Sequence, residues 1–160
     1  EAGDGHDTES YNTGIGSGAL GGPIAGGEYN VAVGAYTLDA LTSGDSNVAI
    51  GYVAGSAITT GSNNTALGAN ALQSNTTATR NTAIGKGSMN STTTGLANTA
   101  IGFESMVSHT EGNSNVAVGA YALDALTTGG DNIGIGSQAC GGFDTETANL
   151  GIGKQALEVT

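Results

Sequence analysis

Hydrophobic and polar positions along the chain follow a short cycle, neither helical nor simply alternating. A five-place pattern, Asn, then Thr/Val/Ile/Leu, Ala/Gly, Ile/Val/Leu, Gly, occurs nine times. The copies begin at Asn12, Asn30, Asn47, Asn64, Asn81, Asn98, Asn115, Asn132 and Asn149. Successive starts differ by 18 residues once and by 17 residues seven times. Residues 12–160 therefore read as one repeat array and residues 1–11 as a lead segment, because self-similarity at a fixed short period marks stacked units.

Aligned in units, the columns acquire physical meanings. The fourth place is aliphatic throughout and includes Ile50, Ile84, Ile101 and Ile152, a ladder of the kind a stacked strand uses. The place before it holds only Ala or Gly, which indicates close approach by another group. The fifth place is always Gly, as at Gly51, Gly85 and Gly102, suited to a corner with positive φ. Four places further on, Leu20, Leu38, Leu72 and Leu123 mark a second, weaker apolar ladder. Aligned Thr residues (Thr42, Thr59, Thr76, Thr93, Thr110, Thr127) and aligned Gly residues then give a turn-rich return. Each unit reads as strand, corner, short strand and turn.

A 17-residue unit is too short for two packed helices, and each interior Gly costs a helix roughly 1 kcal/mol relative to Ala. The expected fold is all-β: a parallel β-solenoid of nine coils with that period. Rungs stacked about 4.8 Å apart bring like side chains together. The Asn column fits such a stack, since amides hydrogen-bond along the axis and Asn tolerates left-handed backbone. One unit is a residue longer and contains the chain's single Pro, at Gly21–Gly27, which predicts a bulge or loop in the first coil. Residues 30–47 and 115–132 are near-copies five periods apart, an internal duplication.

Large side chains are sparse: there is no Trp, two Phe and five Tyr, against 29 Gly. Small columns such as those at Ala32 and Ala122 then suggest packing against neighbouring chains, so a self-assembled oligomer is expected. The last unit stops three residues after Leu157, and an open row of backbone groups there suggests a segment of a longer fibre or end-to-end stacking of copies.

Charge narrows the partners. Fourteen acidic residues stand against Arg80, Lys86 and Lys154, a net charge of −11. Such a surface repels nucleic-acid backbones and anionic headgroups, and no apolar run is long enough to insert in a bilayer. The acids are scattered, as on a solvated face. One cysteine, Cys140, excludes an internal disulfide and a multi-cysteine zinc site.

Chemistry is hard to find. His6 and His109 share no ligand spacing, and His109 occupies a column with Leu41, Ile58, Asn75, Thr92 and Leu126 that reads as turn and surface. Cys140 takes the slot used by Leu72 and Leu123 and acts as a small apolar residue. Gly-x-Gly occurs only inside the repeat unit, which is not a phosphate-binding context. Asp39 with Asp45, and Asp124 with Asp131, are the candidate calcium ligands, yet the Gly-Asp nonapeptide of calcium-loaded solenoids is absent. No cofactor and no enzymatic activity are expected. Tyr36, Tyr52, Phe103 and Tyr121 follow the corner Gly by one or two places and are candidate surface contacts, for a glycan, a receptor or one another. The Thr column has the spacing that ice-binding solenoids use, though irregular flanking turns favour a turn-forming role.

Units such as Asn98-Thr99-Ala100-Ile101-Gly102, and Asn64-Thr65-Ala66-Leu67-Gly68 followed by Ala71-Leu72, resemble the repeats of phage tail-fibre proteins. Those fibres often carry an endosialidase-type chaperone domain after the repeats. The units are also similar to head repeats of trimeric autotransporter adhesins, though the adhesin unit is shorter, and neither a chaperone domain nor a membrane anchor is recognisable. The resemblance covers residues 12–160. It implies a left-handed β-roll wound into a homotrimer, located outside the cell or on a virion. The expected function is a stiff scaffold for host or surface attachment. A filament of end-to-end stacked coils and an ice- or glycan-binding module are the alternatives.

Overall fold

The computed structural model describes residues 11–158. The lead segment, Tyr11 apart, and His6 lie outside the described residues. Nine three-residue strands follow in order: β1 (Thr13–Ile15), β2 (Val31–Val33), β3 (Val48–Ile50), β4 (Thr65–Leu67), β5 (Thr82–Ile84), β6 (Thr99–Ile101), β7 (Val116–Val118), β8 (Ile133–Ile135) and β9 (Leu150–Ile152). They form one sheet in chain order. Each strand runs parallel to the next with equivalent residues paired, for example Ala66 opposite Ala83 and Ile135 opposite Ile152. The molecule is a β-solenoid that advances one strand per repeat.

The longer first unit does not disturb this register, because Thr13 still pairs with Val31. The additional residue is absorbed between Leu20 and Ile24: Ala25 N–H already donates to the Thr42 carbonyl at 2.6 Å, at the same 17-residue offset as Thr42 N–H to the Thr59 carbonyl in the next coil.

Each corner Gly has φ between 119° and 142°. A Cβ on Gly51 would sit 2.7 Å from the carbonyl carbon and oxygen of Gly68 in the next coil. The corner therefore needs Gly for its dihedral and for the closeness of the neighbouring rung.

The second, shorter strand expected around the Leu column does not form. Leu38, Leu72, Met106 and Leu123 have φ of 48–51°, and Tyr36, Asn70, Glu104 and Tyr121 two places earlier have φ of 50–62°. Two left-handed residues within three fold the chain back on itself as a turn. Hydrogen bonding between coils nevertheless continues through it, as from Leu123 N–H to the Ala139 carbonyl at 3.0 Å. A side chain in this conformation costs roughly 1–2 kcal/mol. Burial of Leu38, Leu72 and Leu123, which have 0 % exposure, offsets that cost.

The interior is built from columns. The central residue of each strand points inward, and Ala32, Ala49, Ala66, Ala83, Ala100 and Ala117 are all buried. What approaches them is the chain's own Leu column. Where Gly134 replaces Ala, a Cβ would lie 3.1 Å from Leu123 Cγ, and where Gly151 does, 2.5 Å from Cys140 Sγ. The small columns, Ala32 and Ala122 included, thus line the coil interior and do not pack against another chain. Gly55 stands in the Leu column, and its space is taken by Ile58 Cδ1 and Leu38 Cδ2, 3.0 and 3.1 Å from where its Cβ would be.

A third interior column escaped the sequence reading. Ile24, Leu41, Ile58, Leu126 and Phe143 are buried together with Asn75, Thr92 and His109. His109 is wholly buried, not a surface residue. The turn after the Leu column folds it inward, closed by His109 N–H donating to the Met106 carbonyl at 3.2 Å.

The Asn column runs beside this core. Asn98 donates its backbone N–H and its Nδ2 to Asn81 Oδ1 at 2.9 and 3.2 Å. Its Nδ2 also donates to the Gly112 carbonyl at 2.9 Å. Its Oδ1 accepts from Asn115 N and Nδ2 at 2.9 and 3.1 Å. The left-handed backbone lies one place earlier, at Ser46 (56°), Arg80 (62°) and Ala97 (56°), and not at Asn itself.

Replacing Asn98 by Ala leaves buried partners in both neighbouring coils unmet and is expected to lower unfolding free energy by about 3 kcal/mol or more. Urea titration checks it. Ala97→Gly, at an exposed left-handed position, is expected to raise stability by about 0.5–1 kcal/mol, since relief of the Cβ strain exceeds the added unfolded-state entropy.

Candidate functional site

With its central residue inward, every strand presents its first and third residues outward. The aliphatic ladder at Ile50, Ile84, Ile101 and Ile152 is thereby stacked as expected, but on the outside of the coil. Val48 and Ile50 are each 37 % exposed, Leu67 44 % and Ile101 38 %. Thr65, Thr82 and Thr99 stand beside Leu67, Ile84 and Ile101 in the middle rungs. No residue of any of the nine strands carries a charge. The result is an uncharged and largely apolar face along the solenoid.

Charges border this face asymmetrically. Arg80 falls in the column preceding Asn, while Lys86 and Lys154 fall in the column following the corner Gly. All three cations of the chain thus flank the strands. Most described carboxylates belong to other columns. Among them, Asp39 and Asp124 have their pKa values raised by burial, Asp124 also by the nearby Glu158 charge. Of the calcium candidates, Asp45 is engaged in turn structure, its Oδ1 accepting the Glu28 N–H at 2.9 Å and its N–H donating to Ser62 Oγ at 2.9 Å. Among the described residues no group of three or more His, Cys, Asp or Glu side chains is arranged to hold a metal ion.

The structure brings only some of the aromatic candidates together. Phe103 and Tyr121 meet edge to face with centroids 5.3 Å apart, and Lys86 Nζ lies 5.6 Å from the Phe103 centroid. Tyr36 lies over Gly18, whose Cβ would fall 2.8 Å from its ring. Tyr52 is 58 % exposed. On the opposite border Tyr11 and Tyr29 stack in parallel, 5.1 Å apart. The sequence signal for that pair was their shared place immediately before Asn12 and Asn30.

The Thr column turns its hydroxyls along the axis. Thr59 Oγ1 donates to the Thr76 carbonyl at 3.1 Å and Thr110 Oγ1 to the Thr127 carbonyl at 3.1 Å. These donors tie each coil to the next. Cys140 occupies its Leu slot, fully buried, and burial pushes its thiol pKa up.

Compared with protein-family models, with characterised proteins and with solved structures, the chain gives no match.

Because Cys140 is enclosed and protonated, a thiol reagent is expected to label it only as fast as the solenoid unfolds. Labelling at the unfolded rate in native buffer would contradict its place in the interior.

Proposed function

We propose that the chain is a structural segment of an extracellular or virion fibre, of the tail-fibre or adhesin kind, acting as a stiff scaffold for surface attachment. In this reading copies of the chain pack through the uncharged strand face, and the resemblance of the repeats gives a left-handed homotrimer. The observation that carries it is that face, continuous over nine strands on a chain of net charge −11.

Several physical features support it. Eight steps of about 4.8 Å make the face about 38 Å long, and three strand residues make it about 10 Å wide. The projected area, roughly 400 Å², is in the range where apolar patches on soluble proteins serve as contact sites. Identical acidic chains repel one another, so they approach at least cost where no carboxylate stands. Bordering Arg80, Lys86 and Lys154 lower that cost further by facing the acidic flanks of a neighbour. Stiffness comes from the axial hydrogen bonds, because bending the rod must stretch the strand ladder and the Asn ladder together.

Sedimentation equilibrium tests the assembly. The native chain is expected to be trimeric. A double variant, Ile84→Glu with Ile101→Glu, is expected to be monomeric with an unchanged β-type circular dichroism spectrum, since both side chains point away from the interior. A native chain that stays monomeric at high micromolar concentration overturns the reading.

A further inference from the structure

The third interior column is apolar at Leu41 and Ile58, polar at Asn75, Thr92 and His109, and apolar again at Leu126 and Phe143. Three consecutive coils therefore bury polar side chains in place of aliphatic ones. They satisfy one another incompletely. Asn75 Oδ1 accepts the Ala78 N–H at 3.1 Å, and Thr92 Oγ1 and His109 Nδ1 are 3.1 Å apart. Asn75 Nδ2 and His109 Nε2 are buried without a hydrogen-bond partner.

We propose that His109 is an acid-operated latch: as a neutral ring it completes the interior of the sixth coil, and as an imidazolium it opens that coil and loosens the Asn ladder beside it.

The geometry gives the reason. Protonation makes both ring nitrogens donors. Nδ1 can give its hydrogen to Thr92 Oγ1, but Nε2 needs an acceptor in a space already filled. The ring is packed against two glycines: a Cβ on Gly112 would lie 2.8 Å from Nε2, and one on Gly95 would lie 2.5 Å from Cε1. The Gly112 carbonyl is the acceptor at hand, and it already receives Asn98 Nδ2 at 2.9 Å. An imidazolium therefore competes with the ladder amide for one oxygen.

Among the described residues no charged group lessens the cost of burial. The ring's neighbours in the column are Thr92 and Leu126, its own coil supplies Met106 and Gly112, and the preceding coil supplies Gly95, all uncharged. Glu111, the nearest ionisable residue in sequence, is exposed. Burial lowers the His109 pKa from 6.5 to about 4, and the Gly112 carbonyl offsets this only in part. With the folded value below the unfolded one, the unfolded chain binds the proton first as pH falls. Stability is then fully present above pH 6.5 and is lost progressively down to about pH 4.

The test compares urea unfolding of the native chain and His109→Leu between pH 7.5 and 4.5. Leu41 and Leu126 show that leucine fits the column, and the carboxylates are common to both proteins, so the difference isolates the ring. The native folding constant is expected to fall by up to about 100-fold more than that of the variant over this range. Parallel pH profiles overturn the proposal. A second measurement does not depend on the variant folding: an NMR titration of the His109 imidazole in the native protein should have its midpoint near 4, and a midpoint near 6.5 overturns the proposal equally.

Discussion

A carboxamide stacked once per turn, and buried in every coil between the first and the last, is the constraint on which the solenoid depends. Asn47, for example, donates its backbone N–H and Nδ2 to Asn30 Oδ1 in the coil before it, donates Nδ2 also to the Gly61 carbonyl fourteen residues on, and accepts the Asn64 N–H and Nδ2 of the next coil on its own Oδ1. No other side chain of this size offers an acceptor for two donors and two donors of its own. The interaction also dictates what surrounds it. The accepting carbonyl belongs to a Gly in most coils because adjacent coils pass too closely for a side chain: a Cβ at Gly95 would stand 2.6 Å from the Gly112 oxygen. Spacing, register and the Gly requirement are one fact seen from three columns.

The period, the parallel stacking and the corner glycines were legible in the sequence, because each is a property of a column and nine copies average away local noise. The inward or outward sense of a column was not. An aliphatic residue such as Ile84 and a small one such as Ala83 read alike as buried, and the structure places the larger one outside. The interior is narrow, filled from the opposite wall by Leu72 and Met89, so only a methyl fits across from them. Hydrophobicity alone misassigns the faces here because the limiting quantity is volume.

The turn region was harder still. Left-handed backbone is normally announced by Gly or Asn, and here it is adopted by Leu38, Met89, Tyr121 and Arg80. Tertiary burial and hydrogen bonds between coils outweigh the local preference, which is why a second strand was expected where a turn occurs. His109 was misplaced for the same reason. Its column holds Leu, Ile, Asn, Thr and Phe, a mixture resembling a surface turn until the folded backbone shows one pocket repeated along the axis.

Strands touch only the strands immediately before and after them, and every junction repeats the same three-residue parallel pairing. Length is therefore quantised. A gene that duplicates one unit, or five as between residues 30–47 and 115–132, adds whole rungs of about 4.8 Å without altering any existing joint. Such a rod can be tuned as a molecular ruler by recombination alone, a freedom closed to a protein whose interior is one three-dimensional jigsaw.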